Sequence, residues 1–206
     1  MTDTRRFDQV AATWDEDAGR VRLANAVADA VANQVGLTPE MDVLDFGCGT
    51  GLLTLALRPH VRSVTGADTS PGMLSVLERK VLEQGPESVT TQLLQSAGGY
   101  AISGDYDLIA SSMTLHHVAD LASLFARFRE HLRPGGRIAL ADLDREDGTF
   151  HDADVTDVFH LGFDRAELEA ILSAAGFDEL ADTTAFIHHR RGRDYPVFLV
   201  SGRRRG

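Results

Sequence analysis

Three glycines at alternate positions, Gly47, Gly49 and Gly51, follow a short apolar run that carries an acid, Val43-Leu44-Asp45-Phe46. Such spacing lets the backbone turn sharply and lets a ligand approach without meeting a Cβ. The apolar run reads as a buried strand and Leu52 onward as a helix. The turn therefore lies where a helix start offers unpaired N–H groups and a positive dipole end. Asp45 stands just ahead of the turn, where a carboxylate can meet a cationic ligand atom. Cys48, the single cysteine, is read as a small side chain lining the turn rather than as a catalytic thiol.

A second acid lies at a telling distance. Val64-Thr65-Gly66-Ala67-Asp68 is another short apolar run. It ends in an acid about twenty residues after the glycine turn, where dinucleotide-type folds bind ribose hydroxyls. Together the two signals predict a nucleoside-bearing ligand on a parallel sheet. On their own they fit a nicotinamide cofactor and S-adenosylmethionine equally. Four histidines, His116, His117, His151 and His160, supply imidazoles able to take up a proton near neutral pH. His151 and His160, beside Asp152, Asp154 and Asp157, are also residue types for a mixed nitrogen and oxygen metal site. They lack a recognised ligand spacing, so no metal is expected.

The elements that must hold these residues follow from periodicity. Phe7, Val10, Ala11 and Trp14 fall at helical spacing, and Val21 to Val35 is a long amphipathic pattern closed by Gly36 and Pro39. Trp14 is either a core anchor or part of a lid over the ligand. Strands are expected near 62–67, 89–94, 105–111 and 137–143, beside the first at 43–46. Helices alternate with them. Ser70-Pro71 starts one, with Met73, Leu74, Leu77, Val81 and Leu82 as its apolar face. Asp120 caps a second, and Asp164 with Glu167 a third, whose inner face is Leu168, Ile171, Leu172 and Ala175. Arg133-Pro134-Gly135-Gly136 reads as a turn. Alternation of this kind implies a doubly wound parallel sheet with helices on both faces. Ligands of such sheets bind at the carboxyl ends of the strands, and the glycine turn, Asp68, Gln95 and Ser111 all fall there. Phe177 to Ile187 and Tyr195 to Ser201 read as a closing hairpin at one edge.

The organisation expected is one domain over residues 1–206: an N-terminal helical lid to 38, a ligand-binding core over 39–143, a lid loop over 144–163, and a closing helix and strands. The loop is acidic and carries aromatics, and loops of that length are usually functional or disordered. Phe150, Phe159, Phe163 and Phe7 are candidates to wall an apolar pocket. At 43% apolar residues the composition is that of a soluble globular protein. Net charge of -11 argues against broad binding to nucleic-acid backbones. The late basic clusters, 188–193 and 203–205, read as solvated surface. No apolar run is long enough to span a membrane, and no signal-peptide core is seen. A reducing cytoplasm fits a chain that cannot form an internal disulfide.

Residues 43–51 resemble the first motif of class I S-adenosylmethionine-dependent methyltransferases. The resemblance continues in Gly66-Ala67-Asp68-Thr69-Ser70-Pro71-Gly72-Met73-Leu74, in Tyr106-Asp107-Leu108-Ile109 through Leu115-His116-His117-Val118, in Leu132-Arg133-Pro134-Gly135-Gly136, and in Asp164 to Phe177. It spans roughly residues 40–180 and is nearest in flavour to the small-molecule enzymes of ubiquinone and menaquinone biosynthesis. It implies a Rossmann-like, seven-stranded sheet with an antiparallel last strand, and S-adenosylmethionine as cofactor. It further implies that Gly47, Cys48, Gly49 and Gly51 pass close to the methionine part and ribose, that Asp45 faces the α-amino end, and that Asp68 takes the ribose hydroxyls. Thr69 and Met73 would flank the adenine, and Gln95 or Ser96 would meet its amino group in place of the family's usual acid. Trp14, in its reading as part of a lid, is a further candidate for the cofactor site. Ser111 and Met113 would border the sulfonium and the acceptor side.

The expected activity is in-line methyl transfer to a small, partly aromatic or lipophilic acceptor, with Met113, His151, Phe159 and His160 on the acceptor side. A base is needed only for a protonated nucleophile, and His116 is the best-placed candidate. Two other classes stay open. A nicotinamide-dependent oxidoreductase would show a wider last glycine gap. A non-catalytic methyltransferase-like binding protein would often lack the motif acids, and both are present here. The acceptor and the oligomeric state are not legible in the sequence.

Overall fold

The computed structural model describes residues 5–85, 88–95, 99–152 and 155–206. Seven strands form one sheet: β1 (Asp42–Phe46), β2 (Ser63–Asp68), β3 (Val89–Leu93), β4 (Tyr106–Ser112), β5 (Leu132–Leu143), β6 (Phe177–Arg190) and β7 (Arg193–Arg204). Their order is β3-β2-β1-β4-β5-β7-β6. The first five pair in parallel, and β7 runs antiparallel to both β5 and β6. This is the doubly wound sheet with an antiparallel last strand that the motifs imply.

The central strands are near-continuous apolar runs because both faces are covered, and successive residues feed opposite cores. Leu44, Ile109, Ile138 and Leu140 join Phe125, Phe128, Leu168 and Leu172 on one face. The last four come from α5 (Leu121–His131) and α6 (Arg165–Ala174). Val43, Leu108, Ala139 and Ala141 join Val27, Val31, Leu53 and Leu57 on the other, from α2 (Ala18–Val31) and α3 (Leu52–Leu57). Full burial of one such side chain is worth about 1.5–3 kcal/mol.

The expected caps are present. Ser70 accepts from the Met73 amide at the start of α4 (Pro71–Gln84), and Gly85 ends it in the left-handed region. Asp120 accepts from the Ser123 amide at α5 and Asp164 from the Glu167 amide at α6. Glu167 does not complete a capping box, since its side chain pairs with Arg145. Two apolar assignments fail: Leu82 is 84% exposed and Ile171 37%. Nine residues at about 100° each place Leu82 half a turn from Met73. The Arg133–Gly136 stretch is a bulge inside β5 rather than a turn before it. Tyr106 pairs with Leu132 and Leu108 with Arg137, so these four residues stand opposite the single residue Asp107.

Two segments reach over the carboxyl ends of the parallel strands. The closing hairpin is longer than the sequence suggested. Val197 pairs with Leu143, the last residue of β5, and with Phe186, so residues 187–196 project beyond the sheet. From the other side come α1 (Arg5–Val10) and the 3-10 turn Ala11–Glu16. Asp8 accepts from Ser70 Oγ at 2.5 Å and from the Gly72 amide at 2.8 Å. Asp15 accepts from Thr50 Oγ1 at 2.5 Å and pairs with Lys80. The loop after β5 is tied at its ends by a parallel bridge between Asp144 and Phe163.

Candidate active site

These segments and the strand ends enclose a cavity of about 590 Å³, within the range of pockets that take a whole small ligand. Its floor is the glycine turn. Gly47 and Gly49 are in the left-handed region, at φ +73° and +54°. A Cβ on Gly47 would collide with Thr114, whereas one on Gly49 would meet nothing nearer than the Met73 sulfur at 4.0 Å. The open space over Gly49 is the bare backbone that close ligand approach requires. Gly51 is a packing glycine instead, since a Cβ there would strike Leu77.

Three acids stand at the carboxyl ends of β1, β2 and β5. Asp45 is buried and accepts from Thr54 Oγ1 at 2.6 Å. Burial, with the Asp68 charge adding to it, raises its pKa to about 7 against the pull of Thr54. Asp68 accepts from the Gly49 amide and the Ser70 amide, each at 2.8 Å. Burial still holds its carboxyl above the usual range. Both line the cavity. A buried acid and a half-buried one, neither in an ion pair among the described residues, suit a ligand bearing an ammonium and hydroxyls. Thr69, Met73, Leu94 and Tyr100 line the same cavity and are mostly apolar. The residues present therefore fit an adenosyl amino-acid cofactor.

The third acid, Asp142, is fully buried near the end of β5. Its Oδ1 meets His116 Nδ1 at 2.7 Å and accepts from the Leu143 amide at 2.7 Å. Its Oδ2 accepts from the His116 amide at 3.3 Å. Burial alone would raise this carboxyl, but the His116 charge and hydrogen bonds outweigh it and its pKa is lowered. An ionised carboxylate only accepts, so Nδ1 carries a proton toward Asp142, and in the neutral ring Nε2 is the acceptor nitrogen. His116 lines the cavity, with His117 and His151 beside it at ring distances of 4.2 Å and 5.0 Å. Burial, then the neighbouring His116, lowers both of these to about 4, so they stay neutral at physiological pH. His151 Nε2 is buried without a partner. Among the described residues no group of three or more His, Cys, Asp or Glu is placed to hold a metal ion.

The structure brings together Trp14, Asp45, Gly47, Cys48, Gly49, Asp68, Thr69, Met73, Met113, His116 and His151 around this one cavity. Others named from sequence lie elsewhere. Ser111 is buried beneath the site, donating to the Phe46 carbonyl at 2.8 Å, and Ser112 and Thr114 line the cavity instead. Gln95 is exposed and off the lining, and Ser96 falls outside the described residues. Phe159 is 50% exposed; only its amide turns inward, donating to the His116 carbonyl at 2.9 Å. His160 binds the Val118 carbonyl at 2.9 Å, outside the lining. Phe150 takes the walling position, buried against His151 and Tyr195. Burial raises the Cys48 thiol well above its ordinary value, which keeps it unreactive.

Sequence reasoning missed Asp142, Tyr100, Arg20, His188 and Arg190. Asp142 gave the same signal as Asp45 and Asp68, an acid closing an apolar parallel strand. Phe186, His188 and Arg190 alternate on β6 and so share a face. The overhang of the hairpin turns that face onto the cavity rather than into solvent.

A model of the methyltransferase domain family matches residues 19–181. An uncharacterized methyltransferase of Schizosaccharomyces pombe is 32% identical, the match covering 54% of this chain and 42% of that protein. A ubiquinone biosynthesis O-methyltransferase of Methylobacterium sp. strain 4-46 is 28% identical over 91% of this chain and 85% of its own length. In fold, the chain resembles phosphoethanolamine N-methyltransferase 2 of Haemonchus contortus in complex with S-adenosyl-L-methionine. The TM-score is 0.70 at 16% identity, covering 87% of this chain and 52% of that one. With the glycine turn, the two acids and the sheet order already in place, the family match decides between the two nucleoside cofactors: this chain belongs to the class I S-adenosylmethionine-dependent methyltransferases.

Proposed function

We propose that the chain methylates a hydroxyl oxygen of a small, partly aromatic or lipophilic acceptor, with His116 as the proton acceptor. The buried His116–Asp142 pair on the cavity wall carries this reading. The cofactor, when bound, supplies an already activated methyl group. A base matters only if the nucleophile arrives protonated, as a phenol or alcohol does. Asp142 fixes the imidazole tautomer and stabilises the imidazolium that forms. Asp45 holds the cofactor's ammonium, Asp68 its ribose, and Met73 with Tyr100 its adenine. Phe7, Trp14, Leu23 and Phe150 give the apolar wall that excludes water and receives the acceptor. The N-terminal segment and the loop over 144–163 act as the lid. The O-methyltransferase among the relatives favours oxygen as the acceptor atom.

Turnover of a panel of phenols, alcohols, amines and thiols, read as a gain of one methyl by mass, tests this. Phenols or alcohols are expected to react, and His116→Gln to lower kcat by about 10²–10³ with S-adenosylhomocysteine affinity unchanged. Full turnover in a folded His116→Gln protein would remove the base from the scheme.

A further inference from the structure

The chain has 31 acidic residues and 20 basic ones, yet three arginines from three separate segments converge on this cavity: Arg6 from α1, Arg20 from α2 and Arg190 from β6. Each lies over an aromatic ring that also lines the cavity. The guanidinium carbon of Arg6 is 4.9 Å from the Phe7 centroid, that of Arg20 is 3.7 Å from Trp14, and that of Arg190 is 5.6 Å from Phe150. Their carboxylate neighbours are loosely held. Arg6 is 3.8 Å from Asp157 and Arg20 3.7 Å from Asp17, beyond hydrogen-bond length. Arg190 meets Asp152 at 3.2 Å, but Arg191 grips the same carboxylate. Two guanidiniums on one acid leave a positive charge over at the rim. The arginines also feel one another: after burial and Asp17, Arg190 and Arg6 act on Arg20, both lowering its pKa. Arginine cannot shed its proton, so an anion is what relieves such a cluster.

The position of Arg190 ties this charge to the proposed chemistry. Phe150, beneath Arg190, is 5.0 Å from His151, and His151 is 5.0 Å from His116. The base and the guanidinium are thus separated by two rings, with the orphaned His151 nitrogen between them. A cofactor of this family brings one carboxylate of its own. Arg20 stands on the helix that packs against α3, behind the glycine turn, and suffices for it. Arg190 lies on the side of His116.

Building on the methyl-transfer reading, we propose that the acceptor is a hydroxylated aromatic or lipophilic acid. Its ionised carboxylate is received by Arg190, with Arg6 in support, while its hydroxyl meets His116. The guanidinium fork binds a carboxylate in two parallel hydrogen bonds, and the ring between the two groups stacks along Phe150.

The test titrates 4-hydroxybenzoate and 4-hydroxycinnamate, and the methyl ester of each, into protein saturated with S-adenosylhomocysteine. At least one acid is expected to bind ten-fold or more tighter than its ester. Arg190→Gln should cut that preference below three-fold and leave S-adenosylhomocysteine affinity unchanged. Equal binding of acid and ester, no binding of either acid, or a preference that survives Arg190→Gln would overturn the proposal. A loss of S-adenosylhomocysteine affinity in Arg190→Gln would also overturn it, because the guanidinium would then serve the cofactor's carboxylate. Failure of wild-type protein to bind S-adenosylhomocysteine at all would instead remove the cofactor reading beneath it.

Discussion

Asp42 and Asp45 stand three residues apart toward opposite ends of the central strand β1, and their surroundings differ. Asp42 sits at the amino end of the strands. It pairs with Arg62, accepts from Arg133 Nη2 at 2.9 Å and from Ser63 Oγ at 2.7 Å, and Arg133 also binds Asp107 at 2.5 Å. Arg62 above all holds its carboxyl far below the usual range. Asp45 sits at the carboxyl end with one hydroxyl for company, and burial lifts it to about 7. At one end of the sheet, charge is matched within the chain and contributes to stability. At the other, the buried Asp45 and the half-buried Asp68 have no ion-pair partner among the described residues, an arrangement that costs stability and leaves their capacity for a ligand. The imbalance, more than the presence of acids as such, marks which end is the site.

That contrast breaks first through pH. Asp45 has a folded pKa of about 7 against an unfolded value of 3.8. Its contribution is fully present below 3.8 and is lost as pH rises through 7. The ligand-free protein should therefore lose roughly 3 kcal/mol from this group between pH 4 and pH 7. Asp45→Asn should remove that share, so denaturant melts of the two proteins should diverge as pH rises, with the variant the more stable at pH 8. Asp42 has the opposite sign: its contribution is present above 3.8 and is lost on acidification.

The next effect is on rate. Asp142→Asn should lower kcat about 100-fold, because the amide cannot hold the same tautomer or stabilise the imidazolium. S-adenosylhomocysteine affinity should stay within two-fold by calorimetry. A smaller effect is expected from Asp68→Asn, which should weaken S-adenosylhomocysteine about 10–100-fold through hydrogen bonds to a charged acceptor. At the other end, Asp42→Asn should cost about 1 kcal/mol of stability after solvent screening. It should leave cofactor affinity as it is, and a change there would show that the two ends are coupled. Smallest is the wall: Phe150→Ala should raise acceptor KM several-fold, whereas Phe159→Ala should change neither KM nor cofactor affinity.

The sheet and the cofactor floor were legible because they depend on local signals. Alternating glycines, an acid closing an apolar strand, Ser-Pro at a helix start and Asp caps each act through their own backbone. The acceptor side was not, because it is built by segments remote in sequence. Phe159 and Phe150 have the same loop, the same chemistry and no periodic context. Only the tie between Asp144 and Phe163, with the Phe159 amide on His116, decides that Phe150 turns inward. His188 and Arg190 sit in a run of basic residues that composition alone assigns to solvent. The extra length of the β6–β7 hairpin puts them on the cavity.

Calorimetric titration of S-adenosylhomocysteine at pH 6, in two buffers of different ionisation enthalpy, bears most directly on the idea that a buried, proton-bearing Asp45 receives a cationic cofactor. Binding should occur and should release close to one proton per site, since the carboxyl must ionise to meet the ammonium. No uptake at millimolar concentration, or uptake with the same heat in both buffers, would contradict it.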